Sequence, residues 1–589
     1  MNVASFDGRM AAIRSTPLPD VSSLFAEAKQ AAQNITIGRT AAFDRWGVSS
    51  EAEFKRQCIK DGKITYHAHI GMGNWELTTQ ALDFLWTEGG DTGAEVHRAG
   101  LCLDRRMGLP EQDRAGAAAE TGPMLETTCD WREIGQQTPI QPHMGDFMIG
   151  FPSSFVNTVH ALRAGVTTIG NLSQFFSHEA PGWTDPVATA VETTKAIALL
   201  AQFRDQGVML HSYLEDGFGA LFFDCTTIAG WALLERYIVE ELIGAKLSHC
   251  IGGLTSDPVK RAGWVFGLDR IHQGECLGSM FYGDTISFTR NFDQNRAMIA
   301  EYMLWDIMAQ LACPTGHAVL PLPVTEAIRA PSAQEILEAQ VLGQQVEATA
   351  RRLLPRMDFS DSHYFANQLL KHGRQVFDNA VEGLAQAGVD IKNPLEMLYT
   401  LKMLGPSAFE ERFGAGAPDS GEARGRKVIV PTDIFQQSIA KYQESLTSFQ
   451  DPKLIERLKG KRLLLASADV HEHAIIVLNW LLEHGKAEVN YLGAEASPEA
   501  VADAAHGMDA ILVSTHNGMA LEYGEQLKAA LRERSLDLPI LFGGVLNQKI
   551  PDQEIPEDVS TALQNIGIQS ATSDAGSRLG RFLEHKKQT

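Results

Sequence analysis

The chain has 589 residues, which is long enough for two or three domains whose cores need no disulfide bonds or structural metals. Its 44% hydrophobic and 21% charged residues are typical of an ordinary soluble globular protein. The formal net charge of -22 argues against a nucleic-acid or anionic-membrane partner, because phosphates and lipid headgroups repel such a surface. We therefore expect a small-molecule ligand.

The N-terminus and the cysteines indicate the compartment. Residues 1–20 lack the apolar core of a signal peptide, and no stretch offers ~18 uninterrupted apolar residues for a membrane span. The seven cysteines are scattered, with no CxxC pair and no zinc-ligand spacing. These observations predict a cytoplasmic protein with reduced, mostly structural cysteines.

The first 330 residues predict a helical lead-in followed by a barrel. Residues 1–60 contain "DVSSLFAEAKQAAQNI", where an Asp or Ser cap precedes apolar residues at helical spacing. From 61 to 330, short apolar strands alternate with longer helical stretches. Repeated βα units of this length imply a parallel sheet, and about 270 residues of them suit a closed (β/α)8 TIM-like barrel. The predicted fold class is α/β.

Several predicted barrel strands end in polar residues. Because the carboxyl ends of barrel strands converge on one mouth, these residues are pocket candidates. They are His67, His69, Asn171, His211, Tyr213, Glu215, His249 and Asp284. His67 and His69 alternate on one face of a strand, so both rings are expected to point into the barrel. Glu215 and Asp216 are candidate acid/base groups or, alternatively, helix-capping carboxylates.

The remaining sequence predicts a helical extension and a second domain. Residues 331–459 are rich in helix formers, and the Gly-rich stretch 413–428 within them is predicted to be an exposed loop. Residues 460–589 alternate strands and helices in an order that predicts a doubly wound sheet of five parallel strands.

The loops at the carboxyl ends of these later strands carry a set of polar and small residues. In open α/β sheets this edge is where ligands bind. The set comprises Asp469, His471 and Ala474 after the first strand, Ser514 and Thr515 after the third, and Gly543 and Gly544 after the fourth. The His471 imidazole could coordinate a metal, while Asp469 accepts its other ring N–H and fixes the tautomer.

In this order the three loops resemble those of the cobalamin-binding, flavodoxin-like domain of corrinoid-dependent mutases and methyltransferases. That family's pattern is D-x-H-x-x-G, then a Ser-containing strand end, then a Gly-Gly pair, and Ala474 stands where the family usually has Gly. The resemblance implies that His471 is the lower cobalt ligand and that Ser514 and the two glycines contact the displaced nucleotide tail. The alternative is that Asp469 and His471 form only a solvated turn and helix cap.

The barrel region is more faintly similar to the catalytic subunit of glutamate mutase, and "DAILVST" is similar to that enzyme's small subunit. The resemblance implies an adenosylcobalamin-dependent radical isomerase with both parts fused in one chain. His69 stands where a substrate-binding arginine is expected, and Arg105 and Arg106 are the nearby pair that could supply another. The segment 313–323 lacks the expected ribose-binding Lys and Glu, although His317 remains. The expected substrate is a small polar carboxylic or amino acid other than glutamate.

Several alternatives stay open at this point. The predicted substrate-binding residues are His67, His69, Arg105, Arg106, His143, Asn171, His211 and Glu215. H-x-H on a first barrel strand is also typical of metal-dependent hydrolases, for which His143, His211, His249 and Asp284 could complete a site. A corrinoid methyltransferase, a pyridoxal-phosphate aminomutase and a non-enzymatic cobalamin sensor are the other hypotheses. By analogy with glutamate mutase, a homodimer is the expected assembly.

Overall fold

The structure of the chain is a computed structural model. It describes residues 6–117, 122–275, 277–327, 329–422, 424–449, 451–468, 473–493, 496–515, 518–548, 557–571, 579 and 581–583. Two compact units are present, Ala4–Asp433 and Ile434–Thr589, the latter together with Met1–Val3. The boundary between them falls inside the helical extension predicted for 331–459. Among the described residues, no helix combines the length and apolar character needed to cross a membrane.

The first unit begins with the predicted helical lead-in. Its helices are α1 (Phe6–Arg14), α2 (Val21–Ala32), α3 (Ala41–Trp46) and α4 (Glu51–Asp61). Each of the last three starts where a polar side chain accepts a hydrogen bond from a free backbone N–H of the first turn. Asp20, Thr40 and Ser50 make these caps. Asp20 is thus one of the two capping residue types that the sequence predicted.

Eight short parallel strands follow in the described part of the first unit. They are β1 (His67–Ile70), β2 (Arg98–Leu101), β3 (Gln141–His143), β4 (Thr168–Gly170), β5 (Met209–Tyr213), β6 (Leu247–Cys250), β7 (Met280–Phe281) and β8 (Ala318–Val319). Ladders join β1-β2-β3, β4-β5-β6 and β7-β8. Single parallel bridges join β3 to β4, β6 to β7 and the residue before β1 to β8. The pairing therefore follows chain order and returns to its start.

Helices separate the strands and extend beyond them. They are α5 (Trp75–Thr92), α6 (Thr128–Glu133), α7 (Ser154–Arg163), α8 (Gln174–Ser177), α9 (Pro186–Ala201), α10 (Cys225–Arg236), α11 (Pro258–Ile271), α12 (Phe292–Ala312), α13 (Ala333–Leu353), α14 (Ser360–Gln386), α15 (Pro394–Leu404) and α16 (Pro406–Phe413). Successive side chains of each strand point to opposite faces. In β5, Leu210 packs in the main apolar core, and His211 points to the opposite face, which we call the inner face. The predicted α/β class with parallel sheets is confirmed.

The Gly-rich stretch 413–428 is only partly the exposed loop that its composition predicts. Its tip is exposed, but both ends are anchored to the segment that precedes α10. Glu410 accepts hydrogen bonds from the backbone N–H groups of Phe223 and Asp224 at 2.9–3.1 Å. Asp224 in turn accepts from the backbone N–H of Val430 at 3.2 Å. Composition identified the turn residues but not these carboxylate anchors.

Glu410 gives this unit a pH-dependent stability. Burial raises the pKa of its carboxyl from 4.5 to about 7. The pKa of Glu410 is higher in the folded than in the unfolded state, so the protonated carboxyl stabilises the fold. This stabilisation is complete below about pH 4.5 and is lost as the pH rises through 7. We expect Glu410→Gln, which stays neutral and keeps an acceptor oxygen, to lose less unfolding free energy than the wild type between about pH 5 and 8. Urea unfolding at each pH measures this, and the exposed Glu411→Gln, the matched control, should follow the wild type. An equal decline in Glu410→Gln would contradict the assignment.

The second unit is a parallel sheet with helices on both faces. Its strands are β9 (Arg462–Ser467), β10 (Glu488–Gly493), β11 (Ala510–Thr515), β12 (Ile540–Gly544), β13 (Asn547–Gln548), β14 (Glu557–Asp558) and β15 (Gln569–Ala571). Its helices are α17 (Asp433–Phe449), α18 (Pro452–Leu458), α19 (His473–His484), α20 (Pro498–Ala504), α21 (Ala520–Glu533) and α22 (Ser560–Asn565). The five parallel strands have the order β10-β9-β11-β12-β15, whereas β13 and β14 form a small antiparallel pair that the sequence did not predict.

Two apolar layers cover this five-stranded sheet. Leu464, Ile511 and Phe542 point into one layer together with residues of α20, α21 and α22. The alternate residues Leu463 and Leu512 point into the other with residues of α17, α18 and α19. Strands buried on both faces have continuous apolar runs, as in "RLLLAS" of β9 and "AILVST" of β11.

Candidate functional site

Histidines from three alternate strands meet on the inner face of the first unit. The ring centroids of His67 and His143 are 5.8 Å apart, and those of His143 and His211 are 4.6 Å apart. These residues lie on β1, β3 and β5, so rings from strands that do not pair with each other are in contact. We call His67, His143 and His211 the histidine layer. Each is at most 1% exposed.

The histidine layer is neutral and incompletely hydrogen-bonded. Burial lowers the pKa of all three imidazoles well below the ordinary value, and the nearby Arg98 guanidinium adds to the effect. Both ring nitrogens of His67, Nε2 of His143 and Nδ1 of His211 have no hydrogen-bond partner among the described residues. Because buried polar atoms are normally paired, these nitrogens are candidates for ligand contacts.

A buried ion cluster lies beside the histidine layer. Arg98, at the start of β2, pairs with Glu51 of α4 at 2.9 Å, and Lys55 pairs with the same carboxylate at 3.0 Å. Lys55 also donates to the carbonyl of Ser279 at 3.3 Å. The lead-in helix α4 therefore supplies two buried charged groups, Glu51 and Lys55, to this cluster.

Glycines let the histidine rings pack closely against the backbone. A Cβ on Gly100 of β2 would lie 2.7 Å from His67 Nε2 and 2.7 Å from His69 Cδ2. A Cβ on Gly145 would lie 3.1 Å from His143 Nε2. A side chain at Gly100 or Gly145 would therefore press on these rings, so both positions favour glycine.

Aromatic residues at the strand ends adjoin this layer. His69 is 5.0 Å from His67 between ring centroids, and its Nδ1 is 3.3 Å from the hydroxyl of Tyr282. Tyr282 stacks on Tyr213 with centroids 4.9 Å apart. Burial, and secondarily Arg98, lowers the pKa of His69 to about 4, so its ring is neutral near pH 7. The structure therefore brings His67, His69, His143 and His211 together.

Asn171 and Glu215 occupy strand ends but already have structural partners. Asn171 donates to Asp216 at 2.8 Å and accepts from the backbone N–H of Tyr213 at 2.7 Å. Glu215 accepts from the Thr255 hydroxyl at 3.1 Å and from backbone N–H groups of the loop after β6. Burial raises the pKa of Glu215 to about 7, which suits either a proton carrier or a buried brace. Both residues hold strand ends in place.

Arg105 and Arg106 do not join the histidine layer in any hydrogen bond that the structure describes. Arg106 forms a two-pronged ion pair with Asp104, with both distances 2.9 Å. Arg105 donates to the backbone carbonyl of Glu179 at 2.9 Å. Their role as substrate-binding groups stays a prediction.

His249 was a pocket candidate, but it lies between the strands and the surrounding helices. Its Nδ1 is 2.8 Å from His272 and its Nε2 is 3.0 Å from Glu235 of α10. His317 is likewise engaged, because its Nε2 lies 3.0 Å from the carbonyl of His249. Asp284 accepts from the backbone N–H of Ile286 at 3.0 Å in a turn. In the part of the chain that is described, no group of three or more His, Cys, Asp or Glu residues has metal-binding geometry.

The second unit places the later loop residues at one edge of its sheet. Ser514 pairs with Gly543, and Thr515 with Gly544, in the parallel register of β11 and β12. Ala474 lies exposed in the first turn of α19. Asp469 and His471 lie outside the described residues, so their predicted pairing stays a prediction.

The two glycines of this edge differ in what they permit. Gly544 has a φ of +89°, and a Cβ there would lie 2.3 Å from the carbonyl oxygen of Thr515, so the fold itself requires glycine. A Cβ on Gly543 would approach only the Ala571 carbonyl, at 3.4 Å, among the described residues. Among the described residues, no side chain therefore covers the backbone at Gly543 within 4 Å.

Sequence reasoning missed several residues of the site. Arg98 is a single buried arginine within the short strand "RAGL", and Glu51 and Lys55 lie in what composition marks as a surface helix. Their spacing on α4 is a helical i,i+4 pair, the one local signal that could have drawn attention to them. Gly100 and Gly145 carry no signal until the neighbouring histidines are placed.

No protein-family model matches this chain, and no curated protein matches it either. The function is therefore inferred from the residues and contacts of the chain itself.

Proposed function

We propose that this protein is an adenosylcobalamin-dependent radical isomerase acting on a small polar carboxylic or amino acid. The first unit is proposed to be a (β/α)8 barrel that binds the substrate, and the second a flavodoxin-like cobalamin-binding domain. The proposal depends on two features that occur in the same chain. A layer of histidines lies on the inner face of eight parallel strands, and a separate five-stranded sheet has Ser514 paired with Gly543 at its edge.

The pairing pattern supports the barrel. Eight parallel strands pair in chain order, and the bridge between Tyr66 and Val319 joins the last strand to the first. Helices lie between successive strands. Polar groups on the inner face of such a barrel are reached from the carboxyl ends of its strands, which is where His69, Tyr213 and Tyr282 lie.

The strand order supports the cobalamin-binding domain. In chain order the five parallel strands are arranged 2-1-3-4-5, as in flavodoxin-like sheets, whose ligands bind at the carboxyl edge. Ser514 and Gly543 are paired at that edge, and no described side chain comes within 4 Å of a Cβ built on Gly543. These residues fit a bound nucleotide tail, with His471 as the proposed cobalt ligand oriented by Asp469.

The chain's own residues have a limited set of tasks in this proposal. Adenosylcobalamin, when bound, supplies a carbon-centred radical by homolysis of its cobalt–carbon bond. His67, His143 and His211 bind the polar end of the substrate through neutral ring nitrogens, while Tyr213 and Tyr282 give an aromatic wall. Asn171 and Glu215 hold the ends of β4 and β5 so that this wall stays in place.

A corrinoid methyltransferase is the second candidate, and His317 favours it. In the resembled mutase the segment around this residue holds the ribose of the adenosyl group. Here the two ring nitrogens of His317 already contact Thr315 and the His249 carbonyl, at 2.5 and 3.0 Å. A methyl group needs no ribose contact, so an occupied His317 is no obstacle to methyl transfer.

An anaerobic spectroscopic experiment separates the two candidates. Absorbance and EPR spectra of the purified chain with adenosylcobalamin are recorded in the dark while small amino and hydroxy acids are added singly. A coupled cobalt and organic-radical signal that appears with one compound would support the isomerase and identify its substrate. A histidine-ligated cobalt without any radical would reject the isomerase, and methylcobalamin would be tried next.

His471→Ala tests the cobalt ligand. We expect this variant to keep the fold, as judged by far-UV circular dichroism, and to lose the nitrogen hyperfine splitting that an axial imidazole gives to the cobalt(II) EPR signal. His473→Ala, a histidine two residues further along, is the matched control and should retain the splitting. An unchanged spectrum in His471→Ala would remove His471 from the site.

A further inference from the structure

Glu235 is a buried carboxylate on α10 that accepts three hydrogen bonds from the described residues. It is 1% exposed. Its Oε1 accepts from the indole N–H of Trp231 at 3.0 Å and from the hydroxyl of Ser173 at 3.4 Å. Its Oε2 lies 3.0 Å from Nε2 of His249, and no other described residue forms an ion pair with it. Because a buried carboxylate without a cation is costly, His249 is the group that can supply the positive charge.

The second ring nitrogen of His249 has a partner that can accept its proton. Nδ1 of His249 lies 2.8 Å from Nε2 of His272, and the two residues are 0% and 3% exposed. One proton lies between these nitrogens, so one ring donates and the other accepts. If His272 donates, both rings are neutral and the charge of Glu235 is uncompensated. If His249 donates, it carries two N–H groups and forms a buried ion pair, which is the less costly arrangement.

The neighbouring histidines agree with a charge on His249. Burial lowers the pKa values of His272, His211 and His317, and a positive charge on His249 is among the further causes in each case. These three rings are therefore neutral near pH 7. His249 is the ring of this group that is left to carry a charge.

Two other cations lie near this pair but do not serve Glu235. Arg236 and Lys246 both act on His272 and help to lower its pKa, after burial and His249. Arg236 is itself paired with Glu240 at 2.9 Å, and Lys246 is exposed to solvent. The counter-ion of Glu235 is thus the imidazolium of His249.

Glu235 is connected through Ser173 to the strand ends of the proposed substrate site. The hydroxyl of Ser173 also lies 2.8 Å from that of Ser212. Because a carboxylate only accepts, Ser173 donates to Glu235 and accepts from Ser212. The backbone N–H of Ser173 donates to Oδ1 of Asn171 at 3.1 Å, and the same oxygen accepts from the backbone N–H of Tyr213 at 2.7 Å. A carboxylate that holds Ser173 therefore helps to fix Asn171 and Tyr213.

We propose that Glu235 is a positioning residue that keeps two protons on His249 in a buried ion pair and, through Ser173, fixes the strand ends that carry Asn171 and Tyr213. The role of these strand ends rests on the proposed function, whereas the ion pair does not depend on it. Glu235 acts through its neighbours and is assigned no contact with the substrate.

The protons of His249 can be measured in the full chain without cofactor or substrate. The chain is labelled with 15N-histidine and 13C-glutamate, and magic-angle-spinning NMR near pH 7 correlates ring nitrogens with nearby carboxylate carbons. We expect one ring with N–H on both nitrogens beside an ionised carboxylate, and we expect His272 to carry its single proton on Nδ1. Glu235→Gln should convert the first ring to a neutral one. A wild-type His249 ring with only one proton would overturn the proposal.

Glu95 and His97 form a matched carboxylate–histidine pair that assigns the signal. Nε2 of His97 is 3.2 Å from Glu95, but its Nδ1 accepts from the backbone N–H of Tyr66 at 3.1 Å, so this ring carries one proton. Glu95→Gln removes the carboxylate correlation of His97 and should leave the doubly protonated ring unchanged. The remaining correlated ring is His249, even if Glu235→Gln fails to fold.

Ser173→Ala tests the link to the strand ends. It should keep the doubly protonated ring of His249 and lower kcat/KM about tenfold for the compound found by EPR, as suits loss of one hydrogen bond to a charged group. Glu95→Gln should keep full turnover. Full turnover in Ser173→Ala that is folded by circular dichroism would overturn the positioning role. Because the NMR measurement uses no cobalamin, its failure is distinct from failure of the isomerase assignment.

Discussion

Arg261→Met is expected to destabilise the first unit by about 3–5 kcal/mol. Arg261 is fully buried in α11 and donates to both carboxylate oxygens of Asp306, at 2.9 and 2.6 Å. It also donates to the carbonyls of Thr255 and Tyr282, at 2.9 and 2.7 Å. Removing the guanidinium leaves a buried carboxylate without its cation, which costs far more than the pair contributes. Urea unfolding at constant pH measures the loss.

The same helix supplies a matched control for this substitution. Arg270 lies in the last turn of α11 and contacts His363 and Asn367 in an exposed environment. Arg270→Met should change the free energy of unfolding by no more than about 0.5 kcal/mol. The double variant Arg261→Met, Asp306→Leu should regain part of the stability, because the Asp306 carboxylate no longer stays buried without its cation. A single variant as stable as the wild type would show that Asp306 finds another partner.

Gly100→Ala is expected to lower turnover at least about 100-fold while the fold is retained. The added methyl group would lie 2.7 Å from both His67 and His69, so one or both rings must move. Displacing a substrate-binding group by about 1 Å is enough for a loss of this size. The cost in stability should stay within about 1–3 kcal/mol, as for other overpacked cores. The measurements are kcat/KM for the compound found by EPR and the midpoint of thermal unfolding.

Gly90→Ala is the control for Gly100→Ala. Gly90 lies exposed in α5, and an added Cβ there meets no described heavy atom within 4 Å. Alanine should stabilise this helix position by up to about 1 kcal/mol and leave turnover unchanged. If Gly100→Ala keeps full turnover with a normal unfolding midpoint, the close packing of His67 and His69 against Gly100 does not matter for turnover.

The elements of both units could be predicted from sequence because burial leaves a strong periodic signal. The alternation of strands and helices predicted for 460–589 is observed, beginning with β9 (Arg462–Ser467) and α19 (His473–His484). The alternation that put His67 and His69 on one face is also observed, since both rings meet their neighbours on the inner face. Local patterns such as these depend on residues that are close in the chain.

The remaining features depend on contacts between distant residues, so no local pattern could reveal them. Glu51 has the composition of a surface helix, and only its pairing with Arg98 explains why it is 2% exposed. His249 has the same strand-end position as the other histidines, yet it faces Glu235 of α10 and not the inner face. The direction of a side chain at the end of a strand of two to five residues is set by tertiary packing.

The helix α4 has a consequence for how the protein folds. Lys55 donates to the backbone of Gly278 and Ser279, which lie 223 and 224 residues further along the chain. During synthesis α4 cannot acquire these partners until β7 has left the ribosome. The charged side chains of α4 that are buried in the folded protein therefore stay exposed to water for much of translation. Contacts of such long range slow folding, because a large loop must close before they form. We therefore expect the buried ion cluster of Glu51, Lys55 and Arg98 to form late, after the local βα pairs.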